Sequence, residues 1–446
     1  MKNMKSNSTT LIAVLVVAVI AIAAVGGYII LNDGPQDRDV IEYTQFPIMG
    51  NANNDNIIDQ KDIDLIQEII DGEKIHSDYP YADANYDGMI NQNDIDVTRK
   101  LINGEDTTVY VIDQNNEAVK LNYPLKNVVT INVDMLSLVL QIGGQDKIAA
   151  YVSSSYPVSQ RAADYAGAED LGFGRGRSLD ADNYVKLKNL DVKLVDDNGI
   201  GAILAMTNAA VSDHIEDLNN ADIPVLRINC SAPIDSIDAS LTIGFLLGPE
   251  IELKARAYYD ASYDILNMIN EKLESLADNE KVKVLSLTMM KYITEKESAY
   301  TLVTQLAGGN NITDIDGDSS TALNSADAIA QKQYNDVEYL LSFSTKDYAK
   351  INIREIWEHK SNDFLKASSA YDNLIFINAI MPVPCRVAYV AEILYPELFE
   401  SGFGDNTLQS FVDNFMPYLN ENQADGIFDV TTDMTTIVTK AMYEAL

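Results

Sequence analysis

The stretch Gly248–Leu276, GPEIELKARAYYDASYDILNMINEKLESL, decides how the rest of the chain is read. Apolar or small side chains fall at Ile251, Ala255, Tyr258, Ser262, Ile265, Ile269, Leu273 and Leu276, in steps of three and four. That spacing places them on one face of a helix. Pro249 suits a first helical position, Glu250 faces the positive end of the helix dipole, and Ala277-Asp278-Asn279-Glu280 reads as the exit. At 1.5 Å per residue the helix spans roughly 40 Å, enough to cross a domain. It reads as a strut over 248–278 between two similar halves; the alternative is a long packing helix inside a single α/β domain.

On both sides of the strut, short apolar strands alternate with amphipathic helices, which implies parallel sheets. Strands are expected near 128–132, 148–152, 201–206 and 224–229, with helices near 134–142, 180–190 and 210–220. Beyond the strut, strands are expected near 282–288, 337–343 and 374–380, with helices near 297–307, 325–332 and 386–395. Val109–Ile112 and Ala118–Leu121, around Gln114-Asn115-Asn116, read as a hairpin opening the first half. The expected fold class is α/β: two open lobes, 107–247 and 279–446, joined by one long helix. Ligands of such sheets sit outside the carboxyl ends of the strands, so facing lobes make a cleft.

The chain has 446 residues, with 67 acidic against 32 basic side chains and a net charge of −35. A phosphate backbone would be repelled, which argues against nucleic acid. Lys2 and Lys5 precede an unbroken apolar run, Leu11 to Leu31, and Asp33, Asp37 and Asp39 follow it. The run is long enough to span a bilayer, and the positive-inside rule places everything after it outside the cytoplasm. It exceeds a usual signal core and shows no clear A-x-A exit, so residues 1–32 are read as a membrane anchor, with secretion the outcome if they are cleaved. Residues 33–49 are the linker. No cysteine follows the run, which excludes lipid attachment there. Cys230 and Cys385, one in each half, are read as separate buried thiols, since a bridge between lobes would hinder their motion.

Residues 50–106 hold an internal repeat. The first copy places Asn51, Asn53, Asp55, Ile57, Asp59 and Asp62 at loop positions one, three, five, seven, nine and twelve; the second places Asp83, Asn85, Asp87, Met89, Asn91 and Asp94 there. A calcium loop needs oxygen ligands at those positions, through the carbonyl at seven, and a glycine-tolerant sixth. Ile58 and Ile90 supply the apolar eighth position. Asn51 is neutral and Asn56 stands where glycine is favoured, so two calcium sites are expected, the second stronger than the first.

This all-α segment resembles a dockerin, the duplicated loop-helix module that plugs into cohesin domains. Aspartate closes each loop where EF-hands prefer glutamate, and no entering helix precedes the first. The resemblance implies a cohesin-like partner facing Gln60-Lys61 and Gln92-Asn93, which are not the Ser/Thr pairs common in cellulosomal dockerins.

Residues 107–446 resemble the helical-backbone class of ABC-importer substrate-binding proteins for iron-siderophores, haem and cobalamin. The likeness rests on Pro124-Leu125-Lys126-Asn127-Val128-Val129-Thr130, the segment Gln141–Tyr151, Leu171-Gly172-Phe173-Gly174, and Ala221-Asp222-Ile223-Pro224-Val225. Leu306-Ala307-Gly308-Gly309-Asn310-Asn311-Ile312, Trp357, Ala367–Phe376 and Tyr395-Pro396-Glu397-Leu398-Phe399 complete it beyond the strut. It implies a strut that holds the lobes in near-fixed relation and a non-enzymatic protein that delivers a chelated iron or corrinoid ligand to a permease. It also implies an acidic docking residue on each lobe: Asp182 on the first, Glu295 or Glu297 on the second.

Strand ends nominate Asn132, Tyr156, Thr207 and Asn208 from lobe one, and Lys291, Tyr292, Ser344 and Met381 from lobe two, as ligand contacts. Arg175 and Arg177 in the loop Gly172–Arg177, and Arg386 after Pro384-Cys385, are forks suited to carboxylate-bearing ligands. The alternative for each is an ordinary loop residue or an arginine paired with nearby aspartate. His76, His214 and His359 are scattered, so a bare transition metal is not the expected cargo. Two further functions compete: a dockerin-bearing polysaccharide hydrolase, which needs two positioned carboxylates, and a cell-surface scaffold or adhesion component.

Overall fold

In a computed structural model, the residues described are 41 and 43–446 apart from 154–159, 174–178, 180, 195–198, 207–213, 231, 291, 319, 323–335, 359–364, 367 and 421–426. The anchor expected over 1–32 lies outside them; no helix among the described residues is long and apolar enough to cross a membrane. The two repeats fold alike. Asp59 and Asn91 cap helices α1 (Gln60–Ile70) and α2 (Gln92–Asn103), with Asp62 and Asp94 reaching back to complete a capping box in each. A hairpin follows, β1 (Thr107–Ile112) and β2 (Ala118–Tyr123), with Val109 opposite Leu121. Met49 N donates to Tyr110 O at 2.9 Å and Ile112 N to Pro47 O at 2.9 Å, so the segment before the first loop borders the hairpin.

Lobe one contains β3 (Val128–Thr130), α3 (Val133–Gln141), β4 (Ile148–Ser153), α4 (Gln160–Ala166), β5 (Glu169–Phe173), α5 (Ala181–Lys193), β6 (Ala202–Ala205), α6 (Ile215–Asn220) and β7 (Val225–Arg227). The five strands are parallel in the order β5-β4-β3-β6-β7. The order reverses at β3, the switch point beyond whose carboxyl end a crevice opens. Of the helix expected near 210–220, the part from Ile215 forms, and 207–213 lie outside the described residues.

The connection holds two helices where one was expected. α7 (Pro233–Leu247) runs into α8 (Pro249–Leu273) through Gly248 alone, whose φ of 110° suits a residue without Cβ. α8 spans about 37 Å and buries Ile251, Ala255, Tyr258, Ser262, Leu266 and Ile269, with Leu266 in place of the expected Ile265, while Ile265, Leu273 and Leu276 are half-buried. It ends at Leu273, short of the expected exit, where Asp278–Glu280 form a 3-10 turn. In α7, 12 of the 15 residues are buried, so it has no polar stripe and gives no periodic signal.

Lobe two follows with β8 (Lys283–Thr288), β9 (Tyr292–Thr294), α9 (Ala299–Leu306), β10 (Asn310–Asn311), β11 (Ser320–Ala322), β12 (Tyr339–Ser344), α10 (Ile353–Trp357), β13 (Leu374–Asn378), α11 (Val383–Leu394), α12 (Phe403–Phe415), β14 (Ile437–Thr439) and α13 (Lys440–Glu444). β8, β12 and β13 are parallel at its centre, as expected. The edges differ from an all-parallel expectation: β9, β11 and β14 pair antiparallel. The helix expected near 325–332 lies outside the described residues. Two family-like motifs meet where Tyr395 OH donates to Gly308 O at 2.8 Å.

One continuous core joins the repeat module to the lobes. It contains Phe46, Ile58 and Leu101 with Tyr123, Phe245 and Tyr258. Phe245 takes Phe46 edge-on at 5.5 Å and Tyr123 stacked at 5.0 Å. Arg256 of α8 donates to the Asn56 carbonyl at 3.0 Å and pairs with Glu252 at 2.6 Å, fixing the first loop to the connection. The hairpin is tied in by a buried ion pair: Arg227 meets Asp113 at 2.8 Å and Glu117 at 3.2 Å. Arg227→Lys, which keeps the charge but not the fork, is expected to cost about 1–2 kcal/mol in chemical denaturation.

Candidate functional site

Past the carboxyl ends of β3, β7, β12 and β13 lies a cavity of about 60 Å³ that opens to solvent. Asp134, Ser137 and Gln141, spaced three and four apart, present one face of α3 to it. Cys230 follows β7, and Ser236 stands in the first turn of α7. Thr345 follows β12, while the turn Ala379–Val383 and Arg386 follow β13. Both lobes and the connection therefore contribute walls.

Tyr258 of α8 lines the cavity and is held edge-on by Phe411 at 5.8 Å and Phe415 at 5.4 Å. Burial pushes its phenol well up, as it does that of Tyr348, whose OH donates to Ile380 O at 2.8 Å. Both rings stay neutral. Cys230 and Cys385 are buried free thiols, and burial pushes the Cys385 thiol well above its ordinary value.

Of the nominated contacts, Met381 and Arg386 line the cavity. Asn132 does not: it is the N-cap of α3, its Oδ1 accepting from Met135 N at 2.7 Å. Its role is local. Ser344 ends β12, where its carbonyl accepts from Ala379 N at 3.0 Å, and Tyr292 pairs within β9; neither is among the lining residues. Tyr156, Arg175, Arg177, Thr207, Asn208 and Lys291 lie outside the described residues. Asp182 is exposed in the first turn of α5. Glu297 is exposed and Glu295 half-buried just before α9, their backbone anchored by Glu297 N to Gly317 O at 2.8 Å. Trp357 is buried in the lobe-two core, stacked on Tyr443 at 5.9 Å and not among the lining residues. Sequence reasoning missed Asp134, Ser137, Gln141, Thr345 and Tyr348. Thr345 was signalled only by following a strand, and Tyr258 only as part of the strut's apolar face.

The repeat loops form a second candidate site. In the second, Asp83 accepts from Asp87 N at 3.0 Å and Gly88 N at 2.8 Å, and Asp94 from Asn85 N at 3.2 Å and Asn91 N at 2.8 Å. The first repeats the closing contacts, Asp62 accepting from Asn53 N at 3.1 Å and Asp59 N at 2.8 Å. Position four is left-handed in both copies, Asn54 at φ 56° and Tyr86 at φ 54°. Position six differs: Gly88 has φ 88°, whereas Asn56 is not left-handed. Among the described residues no group of three or more His, Cys, Asp or Glu side chains is gathered as a metal centre. The donor chemistry nevertheless suits a hard cation. Asn51 Oδ1, at position one, is buried without a hydrogen-bond partner. Burial pushes the Asp62 carboxyl up to about 6, opposed by N–H groups of Asp59 and Asn53 and reinforced by the charges of Asp55 and Asp59.

No protein-family model matches the sequence, and no curated protein matches it. Solved structures do share the fold. A TroA-like periplasmic binding protein, FepB, from Veillonella parvula is 15% identical with a TM-score of 0.50, covering 69% of this chain and 96% of its own. An ABC transporter solute-binding protein from Sulfurospirillum deleyianum is 16% identical with a TM-score of 0.51, covering 69% and 94%. The molybdate periplasmic binding protein MolA of a Haemophilus influenzae ABC transporter, bound to molybdate, is 13% identical with a TM-score of 0.50, covering 69% and 97%. The chain folds like the periplasmic solute-binding proteins of ABC transporters.

Proposed function

We propose that this chain is the extracytoplasmic substrate-binding component of an ABC importer, capturing chelated iron (a siderophore complex or haem) or a corrinoid between its lobes for a permease. The observation that carries the reading is the cavity beyond the carboxyl ends of both sheets, walled by both lobes and by Tyr258 of the connection. Asp182 on one lobe and Glu295 or Glu297 on the other are the proposed docking carboxylates for the permease. Residues 1–32 would hold the chain at the membrane. The molybdate held by the Haemophilus neighbour makes a bare oxyanion the second cargo class.

The test is calorimetric titration of the full-length chain against ferric siderophores, haem, corrinoids and oligosaccharides. One-to-one binding of a single chelate, unchanged by chelating calcium, supports importer function. Binding of oligosaccharides alone, or of nothing, sinks it. Trp357 is not among the cavity-lining residues, so heat rather than its fluorescence is the suitable readout.

The repeat loops are proposed to bind calcium, with Asp83, Asn85, Asp87, Met89, Asn91 and Asp94 the stronger set and Asn51, Asn53, Asp55, Ile57, Asp59 and Asp62 the weaker. Bound calcium would neutralise the loop carboxylates and cross-link each loop to its helix. Because the module shares the main core, saturating calcium is expected to stabilise the whole chain, by about 3 kcal/mol at a hundredfold excess over Kd. Asp94→Ala should remove more of that gain than Asp62→Ala, read as the melting shift on adding calcium. Gln60-Lys61 and Gln92-Asn93 are exposed, which leaves them available to a cohesin-like domain.

A further inference from the structure

Tyr418 stands fully buried on the short helix Pro417–Asn420 that follows α12. That helix is fastened to lobe two: Asn420 Oδ1 accepts from Phe428 N at 2.7 Å, and Gln409 of α12 donates to Phe428 O at 2.8 Å and accepts from Val430 N at 2.9 Å. The ring itself reaches across to lobe one. It meets Tyr348 of lobe two with centroids 6.1 Å apart at 61°, and Tyr165 of α4, in lobe one, with centroids 6.1 Å apart at 52°. Tyr348 lines the cavity, and so does Ala162, one turn before Tyr165. The row Tyr165-Tyr418-Tyr348 therefore joins one wall of the cavity to the other.

The Tyr418 hydroxyl is buried without a hydrogen-bond partner, so ring packing alone makes the contact with lobe one. Tyr348 is buried and tied to Ile380 O, whereas Tyr165 is half-buried, so the Tyr165–Tyr418 face is the weaker of the two. The cavity, about 60 Å³, is less than half the roughly 150 Å³ that admits one benzene ring. A chelated iron or a corrinoid is many times larger and enters only when the lobes part.

We infer that Tyr418 is a latch between the lobes: its ring, carried by lobe two and seated on Tyr165 of lobe one, holds the cargo-free chain closed over the cavity, and cargo is admitted when that contact separates. The inference rests on the binding-protein reading for what opening serves, and its test uses no cargo, so either can fail without the other.

The chain carries its own reporters. Cys230 lines the cavity, and Cys385, also a free thiol, is fully buried in α11. A polyethylene-glycol maleimide too bulky for the closed cavity reaches Cys230 when the lobes part and Cys385 when lobe two unfolds. Labelling of each thiol is followed by mass in the full-length chain and its Tyr418→Ala, Tyr165→Ala and Tyr418→Phe variants. The expected result is that Cys230 labels about tenfold faster in the alanine variants while Cys385 keeps its wild-type rate. Tyr418→Phe, which keeps the ring, should label as wild type does. Selective acceleration at Cys230 in Tyr165→Ala alone also upholds the latch, since Tyr418→Ala removes a fully buried ring from lobe two. The inference is overturned if neither alanine variant speeds Cys230, or if Cys385 accelerates alongside it in both, the mark of general loosening. It is equally overturned if Tyr418→Phe speeds Cys230 as much as Tyr418→Ala does.

Discussion

Gly244→Ala is expected to destabilise the chain by about 3 kcal/mol, although alanine is the better helix former by about 1 kcal/mol. A Cβ at Gly244 would stand 2.2 Å from Ala255 Cβ and 3.5 Å from the backbone at Glu252 and Ile251. The clashing atom is itself a Cβ, fixed to the α8 backbone, so no side-chain rotation relieves it. α7 and α8 would have to separate, and they connect the two lobes whose spacing sets the cavity. Ala255→Gly in the same chain should restore most of the loss, because the two changes together only move the methyl from one helix to the other. Denaturant unfolding of both singles and the double tests this; a double variant no more stable than Gly244→Ala would show that the close approach is not what the glycine serves.

Asp238→Asn should remove a pH dependence of stability worth at most roughly 4 kcal/mol. Asp238 lies on α7, where its Oδ1 accepts from Gln45 Nε2 at 2.9 Å and from Tyr263 OH at 2.9 Å. Burial pushes its carboxyl up to about 7, partly offset by those two donors and reinforced by Asp235. The folded chain therefore holds a proton that the unfolded chain releases near the ordinary carboxylate value. The stability this proton gives is fully present below about pH 4 and is lost as pH rises through about 7. Wild type should be less stable at pH 8 than at pH 5 on this account, and the asparagine variant should gain stability at pH 8 and flatten the profile. Asp235, also raised by burial and bonded by Asn229 at 2.7 Å, keeps its own share of the slope. An unchanged slope in Asp238→Asn would assign the pH dependence elsewhere.

The strut was legible because α8 has one buried face and one wet face, so its apolar residues recur at helical spacing. α7 was not, because burial on all sides removes the polar residues that make a period visible. The parallel centres of both sheets were readable from apolar runs such as Ala202–Ala205 and Leu374–Ile377. The antiparallel edges β9, β11 and β14, three residues each, are too short to carry a pattern. The helix that follows each loop, α1 and α2, was legible from the repeat itself. The cavity was not, because its walls come from residues far apart in sequence: Asp134, Ser236, Tyr258 and Thr345 meet only after the sheets and connection are in place. Asn132 stands behind the lining residues for a related reason, since an asparagine after a strand serves equally as a helix cap.

The central claim is that cargo sits between the lobes, and the most direct test is where its metal lies. The full-length chain would be crystallised with the chelate that titrates, and the metal located by its anomalous scattering. A single peak between α3 and the first turn of α11, within reach of Tyr258, is the predicted result. A peak outside the cavity, with the lobes empty, would contradict the account.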